Sequence, residues 1–175
     1  GAKTEVPTLV GRPQPALVLV NDDDLTFAKI RLDERSLATL VEHVGDFADA
    51  LPRALCWAAA WDMTRDAEMP TRDYVALVQR GIGGETDIGV VQSLLRQAQS
   101  ALTLFADPSW APVGRAALSE QALSAVRAAE AGSDLQLAWM RTLATLASSD
   151  EQLALLEGLL AGTAQVTGLA VDTEL

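Results

Sequence analysis

Leu17-Val18-Leu19-Val20-Asn21-Asp22-Asp23-Asp24-Leu25-Thr26-Phe27-Ala28-Lys29-Ile30-Arg31-Leu32-Asp33 is the stretch over which the hydrophobic pattern of the chain changes its period. Leu17 to Val20 is a short apolar run rich in β-branched residues, and Asn21 to Asp24 is polar turn chemistry whose side chains can bond nearby backbone. The residues then alternate. Ala28, Ile30 and Leu32 share one face of an extended chain, and Phe27, Lys29 and Arg31 share the other. This pattern predicts a β-hairpin with a half-buried second strand, ended by Asp33, which stands where an N-cap is wanted.

Working upstream, Glu5 to Val10 is a weaker strand candidate interrupted by Pro7, and Gly11 to Pro15 reads as a turn. About three strands result, which alone would leave one face and both edges uncovered. Working downstream, Leu37, Leu40, Val41, Val44, Phe47, Ala48 and Leu51 form one apolar stripe and predict a first helix. Pro52 suits the first turn of a second helix to about Ala67. Met69-Pro70 breaks it, Thr71 is placed to cap a third helix to Arg80, and Gly81 is its expected stop. Thr86 or Asp87 caps a fourth helix to about Ala106, Val113 to Ala131 is a fifth, and Ser133 to Ala147 a sixth. Ser149 and Gln152 have capping-box spacing for a seventh that ends before Gly162.

The expected fold class is therefore mainly α. The last four helices read as stacked antiparallel hairpins of the HEAT or armadillo kind, with a short β piece at the N-terminal end. Residues 1–33 are expected to be the terminal strands of a β-sandwich domain, and residues 34–175 a helical domain. After Gly168, Val171 to Leu175 resembles a further N-cap and first turn. A chain that opens on orphan strands and closes as a helix begins reads as a fragment of a longer protein.

Composition narrows the function. The chain has 175 residues, 49% of them hydrophobic and only 5% aromatic, with a formal charge of −11. A packed, helix-rich protein follows. Nucleic acid and anionic membrane are disfavoured partners, since both need a basic field. A lone cysteine, Cys56, precludes an internal disulfide and fits a reducing compartment. No apolar run approaches the roughly 20 residues that span a bilayer, so a cytoplasmic location is expected.

No residue pattern specifies catalysis. His43 is the single histidine, and no second His or Cys completes a zinc site with it. Cys56 or a serine could pair with His43 only arithmetically: there is no Gly-x-Ser-x-Gly elbow, and Cys56 lies within a helix. Gly81-Ile82-Gly83-Gly84 follows a helix rather than a strand and lacks the Lys and Ser/Thr of a phosphate loop. Asn21 to Asp24 lacks the spacing of a calcium loop. Trp57 and Trp61, one turn apart, read as core packing, and Asp62, Arg65 and Asp66 as a solvated helix surface. Catalytic, cofactor-binding and metal residues are therefore expected to be none.

The segment LVLVNDDDLTFAKIRLDERSLATL, followed by LPRALCWAAAWDMTRDAEM, resembles the aminopeptidase N family of zinc metallopeptidases, where a small β-sandwich domain hands over to a C-terminal helical domain. The similarity runs on through VVQSLLRQAQSAL to GLAVDTEL. The resemblance implies a parent enzyme that removes N-terminal residues from peptides, with zinc held by HExxH and a downstream Glu, and the substrate amine held by Gly-x-Met-Glu-Asn. Neither motif occurs in this chain. The resemblance thus implies a non-catalytic part whose helices wall the peptide chamber, with the upstream catalytic domain and the peptide substrate as partners and zinc in the parent alone. An independent helical-repeat scaffold that binds a protein or peptide in its groove is the other reading.

If Asp33 caps the first helix, Asp33→Ala lowers the denaturant midpoint followed by circular dichroism. Asp33→Asn, which keeps an acceptor, retains most of it.

Overall fold

A computed structural model describes residues 3–171. Among them are seven α-helices: α1 (Glu34–His43), α2 (Ala50–Arg65), α3 (Thr71–Gly81), α4 (Ile88–Ser100), α5 (Ala111–Ala128), α6 (Asp134–Leu146) and α7 (Asp150–Leu160). Short 3-10 turns cover Pro7–Leu9, Val44–Asp46 and Ile82–Gly84, and α4 runs on into a π-helical turn, Ala101–Phe105. The fold is mainly α, as expected.

Side-chain caps set most of the helix starts. The Asp33 carboxylate accepts from Ser36 N–H at 3.0 Å and from the Ser36 hydroxyl at 2.8 Å. Asp87 accepts from Val90 N–H, and Ser133 from Gln136 N–H. Ser149 and Gln152 form the reciprocal capping box that opens α7. Thr71 departs from expectation. It is the first residue of α3, behind Pro70, and its hydroxyl donates to Phe105 O at 3.0 Å.

The β-hairpin is not formed, and no strand occurs among the described residues. The reason is where the backbone groups go. Val18 N–H donates to Ser36 Oγ at 2.9 Å, and Ala16 O accepts from Thr39 Oγ1 at 2.8 Å, so the first segment lies along α1 rather than along residues 26–32. At the turn, the Asn21 amide accepts from Thr26 N–H (2.9 Å) and donates to Thr26 O (2.8 Å), taking the place of a facing strand residue. Alternation still decides which side chains point inward from Lys29 on. Ile30 and Leu32 are buried, while Lys29 and Arg31 face out to Asp66 and Glu68. The weaker strand candidate is likewise replaced, by the turn at Pro7–Leu9.

The first apolar stripe does not make one helix to Leu51. α1 stops at His43, and Val44 is buried from a 3-10 turn. Pro52, in the first turn of α2, cannot donate to the Ala48 carbonyl, so a helix running through both segments has to break ahead of it. At the other end of α2, Ala67 turns the chain with φ +61°, and Glu68 and Met69 N–H both return to Met63 O. Of the N-cap expected over Val171 to Leu175, all but Val171 lies outside the described residues.

The core is centred on α3, which packs against α1, α2, α4 and α5. Its Tyr74, Val75, Leu77 and Val78 are buried completely or nearly so. α5 and α6 pair as an antiparallel hairpin with α4 against α6, and α7 is tied to α5 by Arg127–Glu151 (2.8 Å) and by Gln152 to Glu120. Trp57 and Trp61 are core residues, as read: Trp57 is 4% exposed, and the Trp61 ring lies 5.3 Å from that of Tyr74 and 6.1 Å from that of Phe105.

Gly81 ends α3 with φ −95°, so its value is room rather than a left-handed turn. A Cβ there would press on Val44 Cγ1 and sit 2.8 Å from Trp57 Cη2. Gly81→Ala should overpack this contact and cost about 1–3 kcal/mol in chemical denaturation.

Candidate functional site

α1 has two apolar sides. Leu40 and, just past the end of the helix, Val44 are buried in the core, while Glu34, Leu37, Ala38, Val41 and Glu42, at i, i+3, i+4, i+7 and i+8, form a second stripe with a carboxylate at each end, its Leu37 and Val41 partly buried against the core. This stripe is one wall of a groove of about 630 Å³ whose other wall is Met63, Glu68, Pro70 and Asp73, from the end of α2 to the first turn of α3. Leu32 closes one side. The floor is hydrocarbon and thioether, and the charged groups lining it are four carboxylates, Glu34, Glu42, Glu68 and Asp73.

Two of the four are engaged. Arg80 pairs with Glu42, and Arg31 reaches both Glu68 and Asp66, the latter also held by Lys29 at 2.9 Å. The hydrogen bond from Lys29, with Arg31 adding to it, holds the Asp66 carboxyl below the usual range. The side chains of Glu34 and Asp73 make no hydrogen bond or ion pair among the described residues. Each stands in the first turn of its helix, where the amide dipoles favour a negative charge.

The residues singled out in the sequence are scattered. His43 is exposed at the end of α1 with Nδ1 2.9 Å from Asp46 Oδ2. Cys56 is fully buried in α2. Gly81 closes α3 and Ile82 is buried in the turn that follows, while Gly83 and Gly84 are exposed with open space around them. Asn21 to Asp24 is a tight turn, with Asp24 N–H on Asn21 O at 2.9 Å. The charge of Asp22 reaches the Cys56 thiol, but among the described residues no three His, Cys, Asp or Glu side chains are grouped to hold a metal ion. Sequence reading missed the groove and its carboxylates. The second stripe on α1 was visible as acids bracketing Leu37, Ala38 and Val41, but the facing wall comes from a distant stretch.

Burial, with Asp22 adding a smaller push, raises the Cys56 thiol to about 11. In the native protein at pH 8, Cys56 should react with Ellman's reagent far more slowly than in urea. A burst at the free-thiol rate would place it at the surface.

The chain matches the ERAP1-like C-terminal domain family over residues 17–175. It is 60% identical, over 179 aligned residues, to Aminopeptidase N of Streptomyces lividans; the alignment takes in all of this chain and 20% of that relative. The chain thus spans about a fifth of the length of the curated relative it matches. On a match that takes in every helix from α1 to α7, the chain belongs to the ERAP1-like C-terminal domain family.

Proposed function

We propose that this chain is the non-catalytic, helical C-terminal part of a zinc-dependent aminopeptidase of the aminopeptidase N type, and that its helices wall and close the chamber in which peptides lose their N-terminal residues. The observation that carries this reading is the 60% identity along the whole chain to a relative named as an aminopeptidase, of which the chain covers one fifth. The chain's own residues do not fit a zinc site, since its one histidine is exposed beside Asp46 and no further ligand is grouped with it among the described residues. Zinc and the chemistry belong to an upstream catalytic domain of the same polypeptide. This chain supplies shape, exclusion of water and a negative field that favours a peptide's free amine.

Residues 1–33 are, on this reading, the junction with a preceding β-sandwich domain. Val18, Val20, Leu25 and Phe27 are exposed there, an apolar surface suited to contact with that neighbour. The family match begins at Leu17, within the junction. Among the described residues no helix is long and apolar enough to cross a membrane; the parent is taken to be cytoplasmic. A second reading, an independent helical-repeat scaffold that binds a protein or peptide partner, is favoured by one observation: an open groove with an apolar floor lies between α1 and the α2–α3 turn.

The reading frame upstream of Gly1 should encode HExxH and Gly-x-Met-Glu-Asn. The longer polypeptide should release N-terminal residues from peptides in a zinc-dependent manner, while the 175-residue chain alone should not turn over an aminoacyl reporter. A reading frame that starts just before Gly1 would favour the scaffold. Metal-dependent turnover by the chain that survives His43→Ala would overturn the non-catalytic assignment.

A further inference from the structure

The groove between α1 and the α2–α3 turn combines two surfaces that suit one kind of occupant. Its floor, Leu37, Ala38, Val41, Met63 and Pro70, has no side-chain hydrogen-bonding group, and its charged rim is carboxylate only. The structure already shows what the rim accepts, because Arg80 sits on Glu42 and Arg31 on Glu68. Glu34 and Asp73 have no such partner among the described residues. Acids in a helix's first turn are explained by the helix dipole; what singles out Glu34 and Asp73 is that both line one groove with an apolar floor.

We propose that this groove binds a peptide segment in which apolar side chains are flanked by lysine or arginine, the apolar part on the floor and the cations on Glu34 and Asp73. Charge complementarity selects this occupant. An acidic segment meets the rim and a net charge of −11. A wholly apolar one would cover Glu34 and Asp73 while giving neither a counter-charge. The volume, about 630 Å³, lies in the range of small-ligand sites, roughly 300–1,000 Å³, so it takes a few side chains rather than a folded domain. The inference borrows only the class of occupant, a peptide, from the function proposed above.

The test uses the 175-residue chain and a dye-labelled peptide, Gly-Lys-Leu-Leu-Lys-Gly, with two controls: the same peptide with both lysines acetylated, and one with serine in place of leucine. Fluorescence anisotropy should rank the parent peptide at least about fivefold tighter than either control, as two exposed ion pairs and a few buried methylenes allow. Amide shifts on titration should centre on Ala38 and Val41. The double variant Glu34→Gln, Asp73→Asn should lose about fivefold in affinity, and Ala38→Trp, which fills the floor from an exposed position, should abolish binding, both with an unchanged circular dichroism spectrum. Equal binding of the acetylated peptide, retained affinity in the double variant, or shifts centred elsewhere would each overturn the proposal. The readout needs no turnover, so its failure leaves zinc-dependent hydrolysis by the longer polypeptide untouched, and the reverse holds as well.

Discussion

One carboxylate ties together the parts of the chain that have least reason to stay together. Glu85, in the connection from α3 to α4, has a side chain only 6% exposed, and it accepts from Trp57 Nε1 and from Arg53 Nε, both at 2.7 Å. Arg53, 15% exposed, also donates to Phe47 O at 2.8 Å. A charge taken this far out of water is tolerable only when its hydrogen-bonding positions are filled, and removing one partner of such a pair typically costs about 3–5 kcal/mol. The end of the α1 turn, the first half of α2 and the α3–α4 connection are thus held in one arrangement. That arrangement places the Trp57 indole against Gly81, which lets α3 close against α2. Specificity of packing, more than gross hydrophobic burial, is what this ion pair supplies.

A second polar cluster works at the surface and shapes the groove. Lys29 and Arg31 reach across to Asp66 and Glu68, at the turn where Ala67 takes a left-handed conformation. Exposed pairs of this kind stabilise little. Their effect is positional: they fix the extended segment that carries Ile30 and Leu32, so that Leu32 closes the groove and Asp33 arrives in register to cap α1. Anchoring of the N-terminal segment thus shapes the groove, whose acidic rim faces outward while Leu37 and Val41 lie partly buried against the core.

Most of the helical fold was legible because it is written locally. Asp33, Asp87, Ser133 and Ser149 each announce a helix start within a few residues, and each does cap one. What escaped the sequence was non-local. Alternation at Lys29 to Leu32 correctly divided inside from outside, yet it cannot say whether an extended segment finds a strand or a helix to bond with, and here the preceding segment found Ser36 and Thr39. The end of α1 was hidden because Val44 stays buried through a change from α to 3-10 geometry, so the stripe never broke. The groove was illegible for the same reason as Glu85: its walls come from residues 34–42 and 63–73, and no periodicity in either stretch refers to the other.

The α5–α6 hairpin has a consequence for the order in which the molecule assembles. Its helices are separated only by Ala129 to Ser133, so closing them sacrifices little chain entropy, and the contact forms within one continuous stretch. The groove depends instead on pairs such as Arg31–Glu68 and Arg80–Glu42, which join residues 37 and 38 positions apart. Local stability in proteins is graded in this way, with sparsely anchored, solvent-facing parts opening before the packed hairpins. By this grading the solvent-facing ion pairs at the rim of the groove open before the packed α5–α6 hairpin does.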